Sequence, residues 1–169
     1  MTIDPSEDRM DALAGHCRDT LDRSGNCAQT SFAVLQHEFG LEGAQILKAL
    51  TPFPGIALRG ETCGAVVGSL MALGLVFGRD DLADWDGYIA SLPAARRFCR
   101  HFEKENSSTI CKSILEAKLG KNFNLADASE AAEYLAAGGR EACAAVIINA
   151  VQAAAELIRS KMEQTSGMS

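Results

Sequence analysis

Cys63-Gly64-Ala65-Val66-Val67-Gly68-Ser69-Leu70-Met71-Ala72-Leu73-Gly74-Leu75-Val76-Phe77 is apolar on nearly every side of a helical projection, and Arg79, Asp80 and Asp81 close it. A helix with no polar face must be surrounded by other elements. The run is too short to cross a bilayer, which takes about 20 residues, so it reads as a buried central helix. The segment before it, Thr51-Pro52-Phe53-Pro54-Gly55 and on to Gly60, cannot continue a helix.

Outward from this centre the chain reads as helices joined by short loops. Met10, Leu13, Ala14, Cys17 and Leu21 form a stripe at helical spacing, which predicts a first helix over about 5–23. Ser24-Gly25-Asn26 ends it, and a second runs over 27–39 until Gly40 stops it. A short third is expected near 42–50. Pro93 suits the first turn of a helix reaching about 105, with Ala95, Phe98, Cys99 and Phe102 on one face. Helices near 110–119 and 128–137 lead to a long last one over about 140–162. The expected fold is all-α: a single domain, 1–169, of about six to eight helices around the apolar helix at 63–77.

Composition agrees. The chain has 169 residues, 47% hydrophobic and 22% charged, enough to bury a core without metals or disulfides, so a metal here would serve function. Aromatics are only 6% and alanine is abundant, which favours helix over strand. A net charge of −6 argues against a nucleic-acid partner, which needs a concentrated basic face. The basic cluster Arg96, Arg97, Arg100, His101 and Lys104 lies on a helix with an apolar opposite side and reads as a solvated face. The first residues carry Asp4, Glu7, Asp8 and Asp11 rather than a basic start and an apolar run, so a cytoplasmic protein without membrane insertion is expected. In a reducing compartment six cysteines call for metal binding, redox chemistry or burial rather than a disulfide framework.

The cysteines divide by position. Cys17 and Cys99 lie mid-helix on apolar stripes and are assigned to the core, since free cysteine behaves as a small hydrophobe. Cys27, Cys63, Cys111 and Cys143 each follow capping or helix-breaking residues, namely Ser24-Gly25-Asn26, Gly60-Glu61-Thr62, Ser107-Ser108-Thr109 and, one turn away, Gly138-Gly139. Free amides and the positive end of the helix dipole there are expected to lower a thiol's pKa. No C-x-x-C occurs, so only the fold can bring these sulfurs together. Gly64 and Gly68 leave one face of the central helix bare, for a second helix or for a cofactor beside Cys63, and spacing favours the helix.

These residues resemble the C-GCAxxG-C-C family of redox-active proteins, defined by four cysteines and a C-G-A-x-x-G element. Cys27 stands in Asn26-Cys27-Ala28-Gln29, the central element in Gly60-Glu61-Thr62-Cys63-Gly64-Ala65-Val66-Val67-Gly68, the third cysteine in Cys111-Lys112-Ser113-Ile114-Leu115, and the last is Cys143. The resemblance runs from about Leu13 to Leu157. It implies an all-helical fold, a redox role and kinship with a domain of split-Soret cytochromes associated with a [2Fe–2S] cluster. There is no C-x-x-C-H haem site. The segment Phe53-Pro54-Gly55-Ile56-Ala57-Leu58 is poorer in glycine than in relatives, which matters if it covers the site.

The leading expectation is therefore a [2Fe–2S] electron-transfer module, with Cys27, Cys63, Cys111 and Cys143 as ligands and Gly64 and Gly68 beside them, serving a redox partner protein. A dithiol oxidoreductase without metal is the first alternative, and needs two cysteines within disulfide reach. A Cys₄ zinc protein is the second, although zinc usually draws its ligands in close pairs. His16, His37 and His101 read as lone helix histidines rather than ligands. No catalytic acid, base or nucleophile stands out apart from the cysteines, and so apolar a bundle is compatible with a homodimer.

Overall fold

The computed structural model describes residues 5–167. Among them the chain forms α1 (Pro5–Ser24), α2 (Cys27–Phe39), α3 (Ala44–Ala49), α4 (Gly55–Leu58), α5 (Gly64–Phe77), α6 (Trp85–Asn106), α7 (Cys111–Leu119), α8 (Ala128–Ala136) and α9 (Gly139–Ser166). The fold is all-α. The pairing of Thr62 with Ile110 is an isolated antiparallel bridge. The count exceeds the expected six to eight because the segment 51–60 contains α4. That element is one left-handed turn, with φ of 51°, 50°, 56° and 62° at Gly55, Ile56, Ala57 and Leu58.

Local chemistry explains the boundaries. Gly25, at φ 60°, closes α1 by donating its amide to the Leu21 carbonyl at 2.8 Å. Asn26 then caps α2, its Oδ1 accepting from the amides of Ala28 and Gln29 at 3.1 and 3.0 Å. Its Nδ2 donates to the Thr51 carbonyl at 3.0 Å, which ties this junction to the segment before α4. Gly40, at φ 61°, ends α2.

The helix expected to start at Pro93 instead starts at Trp85, where the Asp84 carboxylate accepts from the Gly87 amide at 2.8 Å. Pro93 lies inside α6. The missed turns carry no buried side chain, so hydrophobic periodicity had nothing to register there.

The stripes meet in one core that includes Leu13, Cys17, Phe32, Leu35, Phe98, Phe102 and Ile147. Helix α5 contributes Ala65, Val66, Ala72 and Leu73, while Met71 and Leu75 on its other flank are exposed. The central position is shared with α9, which packs on α1, α2, α5, α6, α7 and α8. Its small side chains Ala144, Ala150, Ala153, Ala154 and Ala155 allow that close approach. By length and composition alone α9 is apolar enough to cross a membrane, and half of its most apolar window is buried inside the molecule. Arg96, Arg97, Arg100, His101 and Lys104 are all exposed on α6, a solvated face as read from the sequence.

Candidate functional site: a cysteine-lined cavity

The segments leading into α5 and α7 run antiparallel. The Cys63 amide donates to the Thr109 carbonyl at 2.8 Å, the Cys111 amide to Glu61 at 2.6 Å, and the Lys112 amide to Gly60 at 3.0 Å. Helices α5 and α7 therefore begin side by side, bringing Cys63 and Cys111 into one neighbourhood. Cys27 arrives where α2 crosses α5. A Cβ on Gly64 would collide with the Cys27 sulfur, and one on Gly68 with the Ala28 carbonyl oxygen. The bare face of α5 is thus filled by α2. Gly68, expected beside a cofactor, packs on the α2 backbone instead, while Gly64 stays at the site against Cys27.

Cys27 and Cys111 are the first residues of α2 and α7, and Cys63 is the residue before α5. Cys143 differs from the expectation, because α9 starts at Gly139 and leaves it beyond the first turn. Its sulfur meets a side chain rather than a free helix-start amide: the Tyr134 hydroxyl oxygen lies 3.0 Å from it, within hydrogen-bond distance.

Charge on any one of the four would be felt by the others. Cys27 senses Cys143 and Cys111, Cys63 senses Cys27, Cys111 and Cys143, and Cys111 senses Cys143, so every pair is coupled. Cys17 and Cys99 enter none of these couplings. Cys17 is in the core as expected, whereas Cys99 is only half-buried, packed against the core from its edge.

The expectation that helix starts lower these thiol pKa values is overturned by burial. Burial, then the charge of Cys143 and Cys111, pushes Cys27 up to about 12, against the amides of Gly64 and Cys27 itself. Burial and the neighbouring sulfurs hold Cys63 well above the ordinary thiol value, with the Ala65 amide opposing. Cys111 is pushed up to about 11 by burial and Cys143. Cys143 is raised by burial, although the Tyr134 hydrogen bond and the charge of Lys118 pull it down.

A cavity of about 160 Å³ opens beside these sulfurs, lined by Cys27, Cys111 and Cys143 and walled by Leu58, Phe123 and Leu135. Pro54, Gly55, Leu58 and Gly60 also line it, so the glycine-poor segment does border the site. Arg140 reaches its rim and pairs with Asp22 at 3.3 Å. All six cysteines are unbridged. Among the described residues no group of three or more His, Cys, Asp or Glu side chains is placed to hold one metal ion.

Two side chains escaped the sequence reading. Tyr134 falls inside the helix expected near 128–137, and nothing local tells that its hydroxyl returns to Cys143. His16 and His37, read as lone histidines, stack edge to face with ring centres 4.9 Å apart. Burial and His37 hold the His16 pKa below its ordinary value.

In comparisons with known proteins, one family model matches residues 25–157, most of the chain; its description reads "Putative redox-active protein (C_GCAxxG_C_C)". No curated protein and no solved structure matches the chain.

Proposed function

Because the chain belongs to the C_GCAxxG_C_C family of redox-active proteins, we propose that Cys27, Cys63, Cys111 and Cys143 hold a [2Fe–2S] cluster for electron transfer. The observation that carries this reading is that three cysteines distant in sequence, Cys27, Cys111 and Cys143, line one cavity, with Cys63 buried within electrostatic reach of all three. Four thiolates are the ordinary ligand set of such a cluster, which when bound accepts and returns single electrons. It takes two thiolates at each iron, so it does not require three donors around one point. The amides of Gly64 and Ala65 favour charge on the sulfurs of Cys27 and Cys63, as ligation requires. Leu58, Phe123 and Leu135 give the cavity apolar walls. In this reading the protein is a cytoplasmic carrier that serves a redox partner protein, with no nucleic-acid role and no membrane insertion.

The alternatives fit less well. A Cys₄ zinc site needs four sulfurs about 2.3 Å from one ion, and no three donors among the described residues are so placed. A dithiol enzyme needs an accessible thiolate, whereas burial raises all four thiols.

Anaerobically purified protein, assayed for iron, zinc and acid-labile sulfide and for visible absorption, tests the reading. Iron and sulfide in equal amounts with a coloured protein are expected. Zinc without sulfide, or neither metal, contradicts it.

A further inference from the structure

Tyr134 lies on α8, yet its hydroxyl oxygen sits 2.6 Å from the Gly139 carbonyl oxygen and 3.0 Å from the Cys143 sulfur. The reversal that brings it there is short: Ala137 ends α8, and Gly138, at φ 80°, turns directly into α9. The ring is held on two sides. It meets Phe123 edge to face, with centres 5.9 Å apart, and lies so close over Gly139 that a Cβ there would collide with three ring atoms. Only a glycine at 139 admits it.

A phenol has one proton to give, and a backbone carbonyl can only accept. While Cys143 is a thiol, the chain of donors closes as S–H to the phenol oxygen and phenol O–H to the Gly139 carbonyl. Once Cys143 ligates a metal its proton is gone, and the phenol proton is free to turn to the sulfur. The cost of that turn is one carbonyl bond, at a carbonyl that heads α9 and also serves the helix.

We propose that Tyr134 is a positioning residue of the four-cysteine site, its hydroxyl donating a hydrogen bond to the Cys143 sulfur when that sulfur ligates the cluster. The inference rests on the cluster reading above. A hydrogen bond to a ligating sulfur draws charge from it and favours the reduced, more negative state, so it raises the reduction potential.

Tyr134→Phe keeps the ring and removes only the donor. Iron and sulfide per chain, and the reduction potential by anaerobic titration, are measured for wild type and variant. Equal iron and sulfide, a more negative potential and shifted visible bands in the variant support the inference. Equal loading with an unchanged potential overturns it and leaves the cluster reading intact. A wild type without iron and sulfide overturns both, and loss of the cluster in the variant alone overturns the inference, because the tyrosine would then serve assembly.

Discussion

Cys17 and Cys27 are both pushed up to about 12, but by different surroundings. Around Cys17 the cause is burial, eased slightly by Arg18. Around Cys27 burial is joined by the charges of Cys143 and Cys111, which bound iron would offset. For Cys17 the sign of the pH effect follows from linkage. The unfolded chain ionises first, near 9.0, so the stability Cys17 contributes is full below that pH and is lost as pH rises toward 12. Cys17→Ala is expected to cost on the order of 1 kcal/mol at neutral pH and to flatten the alkaline decline. Urea unfolding at pH 7 and pH 10 measures both, and a decline unchanged by the substitution contradicts the assignment. At this scale position along a helix was legible from the sequence, but burial was not. It depends on neighbours far away in the chain, which is why the expected lowering of the thiol pKa values failed.

Helix α2 against α5 is the contact that joins Cys27 to Cys63. Gly68→Ala would press a methyl group into the Ala28 carbonyl, and is expected to cost about 1–3 kcal/mol and to lower iron content by parting the two helices. Thermal unfolding and an iron assay check this; a variant as stable and as loaded as wild type refutes it. The left-handed turn α4 makes a second prediction. Non-glycine residues in that conformation cost roughly 1–2 kcal/mol each, and Ala57, at φ 56°, is exposed and gives up no packing. Ala57→Gly is therefore expected to raise stability by up to about 1 kcal/mol, after the added freedom of glycine in the unfolded chain is offset. An unchanged or lower unfolding midpoint contradicts the strain. The ends of α2 were legible because Asn26 and Gly40 are strong local signals. The handedness of 55–58 was not, because Pro52, Pro54 and Gly55 announce a turn without fixing its hand, which the hydrogen bonds from Ala57 to Pro52 and from Glu61 to Gly55 settle.

Across the whole molecule, the helical class and the apolar α5 could be read from periodicity, while the shared centre with α9 could not. Alanines score as weak hydrophobes, and their value lies in the close approach they permit to six other helices. What sets Cys63 beside Cys111, the antiparallel pairing around Thr62 and Ile110, left no local trace in either segment. An apolar surface remains at the end of α5 and the start of α6, where Met71, Leu75, Leu82, Trp85 and Ile89 are exposed. We propose this surface as the contact of the homodimer with which so apolar a bundle is compatible, since patches of exposed apolar side chains mark association sites. Trp85→Glu is expected to keep the helical circular-dichroism spectrum and to halve the sedimenting mass, and a wild type that sediments as one chain contradicts the dimer. The central claim, that Cys27, Cys63, Cys111 and Cys143 form one cofactor site while Cys17 and Cys99 only fill space, is tested most directly by iron and sulfide content across the six single substitutions. Serine at any of the four replaces a soft ligand by a hydroxyl that stays protonated at neutral pH, so both contents are expected to fall sharply there and to hold for Cys17→Ala and Cys99→Ala; an equal response from all six would contradict the account.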